Sequence, residues 1–332
     1  MRKVVSAIGV CCVVAIGVSA ATQAQPSPAW AYGFPPGEAT SSPRALNPTP
    51  TVPPPPDPTP RQIPGTARTF TLAQIRDYWN VGDWFPDEHP PMPAVVVHGR
   101  QPHVRGCAMC HMPSGKGRPE NAPLAGLNAG YFVQQLLDFK HGLRASADPR
   151  KANTATMIEA AKEMTDDEMK ASAAYFSSMK WTPWVAVRET ATVPRTRLSG
   201  NVFFRLPGSE TEPIGNRIIE SPEDAERFEL RDPHSGFIAY VPPGSIRKGG
   251  DLVRAGGGKT MPCGVCHGQD LQGLGPVPGI AGRSPSYLMR QLWDMQQGSR
   301  KGEWSPLMKP VVEHLTQDDM LAIAAYVAAQ GG

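Results

Sequence analysis

Apolar residues recur at helical spacing in four stretches, which fall into two matched pairs. In the later half, Ser284 reads as an N-cap with Pro285 at the first helical position, and Tyr287, Leu288, Leu292 and Met295 line one face before Gly298 ends the helix. The stretch from Asn128 to Gly142 repeats that pattern. Two alanine-rich helices follow in the same way: Thr165 with Glu168 forms a capping-box pattern, and Thr316 with Asp319 is a weaker version of it. Residues 188–243 read differently. Short alternating runs, Asn201 to Leu206 and Phe237 to Val241, lie among turn residues and predict irregular strands or hairpins.

The pairing of helices reflects an internal repeat. With His111 set on His267, an offset of 156, the register holds without a gap for 33 further positions. Ala125-Gly126 falls on Ala281-Gly282, Tyr131 on Tyr287, Gln135 on Gln291, Gly142 on Gly298 and Arg144 on Arg300. The first copy then carries five extra residues, and at an offset of 151 Met157 meets Met308, Met169 meets Met320 and Ala173-Ala174-Tyr175 meets Ala324-Ala325-Tyr326. The chain therefore holds two copies of one mainly α fold, with an irregular or β-containing insertion before the second.

The N-terminus changes the picture of what folds. Arg2 and Lys3 precede the apolar run Val4 to Val18, and small residues follow to Ala24, which is the layout of a secretory signal peptide over residues 1–24. That run is shorter than the ~20 apolar residues a membrane span needs. Bulky Val10 before Cys11 argues against a lipoprotein signal. Residues 25–64 hold 14 prolines and few aliphatic residues, so 25–66 is expected to be a disordered leader. Within it Trp30, Tyr32 and Phe34 could pack onto a partner or onto the protein itself. The expected organisation is completed by a first domain over 67–187, the elaboration over 188–243 and a second domain over 244–332.

Removal of the signal leaves four of the six cysteines, all in two C-x-x-C-H strings: Cys107, Cys110 and His111, and Cys263, Cys266 and His267. In this string two thiols add to the vinyl groups of a haem and the adjoining histidine reaches the iron. Two such strings in a secreted chain, each opening the same helical repeat, predict two covalently attached c-type haems. Zinc would need a second ligand pair in each half, and none has suitable spacing. A disulfide framework would need cysteines elsewhere.

A low-spin carrier also needs a sixth iron ligand. Met157 and Met308 occupy equivalent positions, 46 and 41 residues after their histidines, in stretches read as loops eight residues before the terminal helix caps. Pro306 and Pro310 would stiffen the second of these loops. Met169 and Met320 also match, but their place inside amphipathic helices suits core packing. His89, His98, His103, His141, His234 and His314 have no matched partner and are expected in surface or polar-contact roles.

The order C-x-x-C-H, Ala-Gly, aromatic-led helix, Gly-x-Arg, methionine, terminal helix ending near Ala-Ala-Tyr resembles the class I cytochrome c fold over about residues 90–182 and 244–330. Its duplication is similar to the tandem dihaem cytochromes c of bacterial periplasms. The resemblance implies two tandem class I cytochrome c domains, His/Met-ligated iron and electron exchange with a redox donor and acceptor, such as a periplasmic or membrane-bound dehydrogenase or oxidase. It also implies a proline carbonyl holding the axial histidine's second nitrogen, for which Pro123 and Pro278 are the nearest candidates. An N-terminal helix of the family falls at Ile246 to Ala255, with Gly249-Gly250 allowing close approach to the last helix. Pro90, Pro91, Pro93 and Pro102 oppose a long helix at the corresponding place in the first copy.

The expected function is that of a periplasmic electron carrier or cytochrome subunit rather than an enzyme. The alternative is a dihaem oxidoreductase, peroxidase-like or oxidising a sulfur compound, in which one haem keeps an open or displaceable ligand; matched methionines in both copies argue against it. Net charge of +3 falls to +1 without Arg2 and Lys3, and to about −3 with four ionised propionates, unlike a nucleic-acid binder. The mature chain is expected to carry no transmembrane segment.

Overall fold

The computed structural model describes residues 27–35 and 57–331; the expected signal peptide lies outside them. The first half opens with three short helices, α1 (Leu72–Ile75), α2 (Ala94–Val97) and α3 (Cys107–His111), and continues with α4 (Ala129–Lys140), α5 (Ala152–Glu163) and α6 (Asp166–Ser177). Strands β1 (Val185–Glu189), β2 (Thr192–Pro194), β3 (Thr196–Ser199), β4 (Val202–Arg205), β5 (Thr211–Pro213), β6 (Ile219–Pro222) and β7 (Phe237–Val241) follow, with α7 (Ala225–Glu229) before β7. The second half comprises α8 (Ser245–Ala255), α9 (Gly264–His267), the two-residue strands β8 (Gly273–Leu274) and β9 (Val277–Pro278), then α10 (Pro285–Gln296), α11 (Ser305–Val312) and α12 (Gln317–Ala328).

The predicted caps are made. Asn128 Oδ1 accepts from the Gly130 and Tyr131 amides, Ser284 Oγ accepts from Tyr287 N, and reciprocal capping boxes start α6 and α12. The loops between haem-string helix and long helix superimpose bond for bond on the repeat register. Leu124 N and Ala125 N both donate to Gly115 O, as Ile280 N and Ala281 N do to Leu271 O. Gly126 N reaches Phe176 O in α6, and Gly282 N reaches Val327 O in α12. Each Ala-Gly pair thus pins its loop to the terminal helix.

The long N-terminal helix exists only in the second copy. In α8 a Cβ on Gly249 would lie 1.9 Å from Ala322 O, so only glycine lets α8 and α12 cross at this distance. The prolines of the first copy leave the single turn α2 in that place.

The elaboration is more ordered than its sequence pattern conveys. β7 pairs in parallel with β1 and antiparallel with β6, forming the centre of a three-stranded sheet. All five β7 residues are buried, because one face meets the second domain's core and the other packs on Val193, Ile214 and Ile219.

Disorder over 25–66 does not hold for residues 27–35 and 57–66. Residues Ala29–Tyr32 form a 3-10 turn, and Trp30, Tyr32 and Phe34 are buried at 9%, 0% and 2% exposure. Aromatic area buried on the folded protein outweighs the extended preference of the surrounding prolines. Tyr32 Oη donates to Asp294 Oδ1 at 2.6 Å, Arg290 Nη1 donates to Ala31 O, and Arg150 lies over the Phe34 ring. The strap therefore touches both halves. Farther on, Ile63 joins Ile75, Trp84 and Leu230 in a small cluster, and Arg61 pairs with Phe70.

Candidate functional site

The two C-x-x-C-H strings form the helical turns α3 and α9, which place both thiols of each pair and the following imidazole on one wall of a single, largely apolar cavity. Cys107, Cys110 and His111 line one end, and Cys263, Cys266 and His267 the other. All four cysteines are unpaired. Burial pushes the Cys107 thiol up to about 12 and that of Cys263 to about 11, so both sulfurs stay neutral. Immediately after each histidine the chain turns through positive φ, at Met112 (65°) and Gly268 (84°).

Each imidazole is held from behind. His111 Nδ1 lies 2.8 Å from Ala122 O, and His267 Nδ1 lies 2.8 Å from Pro278 O. Donation of the Nδ1 proton to a carbonyl leaves Nε2 as the free acceptor, the tautomer a metal ion requires. Burial also favours the neutral ring, bringing His111 down to about 4 and lowering His267. The carbonyl beside His111 belongs to Ala122, not to the expected Pro123. Ala122 is the repeat equivalent of Pro278 at the offset of 156, so the carbonyl keeps its register position although the residue bearing it differs.

Met157 and Met308 both line the cavity, but they stand on helices, α5 and α11, where loops were expected. Pro306 occupies the first turn of α11, where its missing N–H is no loss, and Pro310 lies in the second half of this eight-residue helix. Met169 and Met320 are buried in the cores of the two halves, away from the cavity lining. Met164 also lines the first site; its repeat equivalent is Leu315.

Where the two ends of the cavity meet, the repeat-matched polar residues interlock. Arg144 donates to Gln135 of its own half at 2.9 Å and to Gln291 and Tyr287 of the other at 3.1 and 3.3 Å. Arg300 reciprocates, donating to Gln291 at 3.0 Å and across to Tyr131 and Gln135 at 2.7 and 2.8 Å. An antiparallel bridge joins the two arginine backbones. The sequence identified these pairs as equivalent but not as partners.

The donor set fits a c-type haem at each end. Paired thiols, an imidazole with a free Nε2 and a mostly apolar wall are what covalent attachment and axial ligation require. Buried Arg300 Nε has no partner, leaving a donor in the cavity wall for an anionic group such as a haem carboxylate.

The model of the cytochrome c family matches residues 96–180. Cytochrome c-554(548) of Halomonas halodenitrificans is 40% identical over 77 residues, covering 93% of that protein and 23% of this chain. The chain belongs to the cytochrome c family. The thiosulfate dehydrogenase electron acceptor of Stutzerimonas stutzeri is 25% identical over 237 residues, covering 70% of this chain and 82% of that one. The crystal structure of reduced recombinant cytochrome c4 from Pseudomonas stutzeri superimposes with a TM-score of 0.43 at 21% identity, over 68% of this chain and 92% of that one. This cytochrome carries two covalently bound c-type haems and transfers electrons between redox partners. Among its described residues no helix is long and apolar enough to cross a membrane.

Proposed function

We propose that this cytochrome passes single electrons through two closed His/Met sites, with a haem bound to Cys107 and Cys110 under His111 and Met157, and another bound to Cys263 and Cys266 under His267 and Met308. The single observation that carries the proposal is the cavity itself. Its two ends present the same histidine and methionine positions of the repeat, and no other methionine in its lining is matched by a methionine. When bound, haem supplies a one-electron couple at iron, and His/Met ligation sets that couple high. The protein's own residues do the rest. Ala122 O and Pro278 O fix the imidazole orientation, the apolar wall excludes water, and the Arg144–Arg300 lattice holds the two ends in register.

The haem domains correspond to residues 67–187 and 244–332, and a signal over 1–24 would deliver the chain to the periplasm. The likeness to a thiosulfate dehydrogenase electron acceptor over most of its length supports a dehydrogenase of a small sulfur compound as the electron donor. A downstream redox protein or oxidase would take the electron on. Carbon monoxide tests the closed-site reading. The reduced protein is expected to bind none at neutral pH, whereas rapid binding at either site would favour an enzyme with an open ligand position.

A further inference from the structure

The two haem-string helices match in sequence but not in electrostatic surroundings. Arg231, from the elaboration, reaches across to α3: its Nη2 donates to Met109 O and lies 3.5 Å from Ala108 O. Arg231 takes up a left-handed φ of 59°, a costly conformation for a long side chain that delivers the guanidinium to this place. Arg105 and Glu120 line the same end of the cavity, and Arg118 stands beside them on Glu120. Arg118 pairs with Glu120 at 2.8 Å, so the remaining charge on this side is positive.

The repeat gives the matching positions at the second site. Arg105 corresponds to Met261, Arg118 to Leu274 and Glu120 to Pro276. Met261 and Leu274 are exposed apolar residues, at 45% and 59%. Arg144 and Arg300, which both line the cavity, are themselves equivalent in the repeat and cannot distinguish the sites. Arg231, Arg105 and the Arg118–Glu120 pair thus flank the first haem string, whereas the positions matching Arg105, Arg118 and Glu120 at the second are uncharged. Positive charge in a partly buried setting disfavours the ferric state, which carries one more positive charge than the ferrous. Burial lowers Arg231 only to about 10, so it remains a cation at neutral pH.

Building on the dihaem reading, we propose that Arg231, with Arg105 and Arg118, holds the first haem at a higher reduction potential than the second, so that an electron entering the protein comes to rest at the first site. With haem bound at both sites, the internal step would move one electron, oxidising the second site from ferrous to ferric and reducing the first from ferric to ferrous, with no bond or proton changed. The elaboration then acts as the element that orders two otherwise equivalent sites. Arg231 is a tuning residue and touches no reacting atom.

Spectroelectrochemical titration of the haem-loaded full chain tests this, with a haem count on each sample. Arg231→Gln is expected to lower the upper potential, shifting electron partition between the sites by up to about tenfold, which is 59 mV for a one-electron couple. The lower potential should stay in place, and Arg231→Lys should keep most of the separation. Leu274→Arg, which places a cation at the second site, should raise the lower potential even if Arg231→Gln proves unstable. Movement of the lower potential in Arg231→Gln, or of neither in both variants, would overturn the proposal. A count other than two haems per chain would instead overturn the dihaem reading on which it rests.

Discussion

At the scale of single residues, the two haem-string histidines show that position in the repeat carries more information than residue type. The carbonyl behind His267 comes from a proline and that behind His111 from an alanine, yet both sit eleven residues after their histidine and make a 2.8 Å contact. A backbone carbonyl accepts the Nδ1 proton whatever side chain it carries. The same logic separates the methionines of the first site. Met164 is 4% exposed and lines the cavity as Met157 does, but its equivalent Leu315 cannot ligate iron. Met164→Leu conserves volume, so it should cost less than about 1.5 kcal/mol. It is expected to leave the methionine-to-iron charge-transfer absorption of the oxidised protein intact; loss of part of that absorption would transfer the ligand role from Met157 to Met164.

At the scale of elements, the start of α12 shows how local chemistry sets a domain's acid response. Burial pushes the Asp319 carboxyl up, but Lys248 and Lys259, with the Thr316 amide and hydroxyl, outweigh it and hold the group well below the usual carboxylate range. A carboxyl depressed in the folded state contributes stability that is present above its unfolded value of about 3.9 and is lost as pH falls toward its folded value. Thermal unfolding followed at the second haem should therefore weaken below about pH 4. Asp319→Asn should flatten that acid limb and cost on the order of 2 kcal/mol at neutral pH. Capped helices of this kind were legible in the sequence because a cap is decided within four residues. The helix bearing Met308 was not, since Pro306 and Pro310 read as loop signals while one of them merely starts a helix, and the matched stretch around Met157 was read the same way. Nor was Arg231 legible, for its contact with α3 spans more than a hundred residues and leaves no periodicity.

At the scale of the whole molecule, the two haem halves are joined by the reciprocal Arg144–Arg300 lattice and by the strap at Trp30–Phe34. The sequence displayed the repeat, and with it the fold of each half. It could not display the seam, because matched residues look the same whether they face solvent or one another. Proline content suggested a disordered leader, whereas its aromatics pack into the core of the second half and elaboration, with Arg150 of the first half over Phe34. Trp30→Ala with Phe34→Ala is expected to cost about 3 kcal/mol or more, as deletion of buried aromatic groups does. Calorimetry should show one lowered transition while both haems stay attached; an unchanged midpoint would mean that the strap contributes nothing to the seam.

The measurement that bears most directly on the central claim is the methionine-to-iron charge-transfer absorption of the fully oxidised, two-haem protein. Met157→Ala and Met308→Ala are each expected to remove about half of it, and the double variant all of it, while covalent haem content stays at two. A signal unchanged in either single variant would contradict equivalent His/Met sites and assign that iron another ligand.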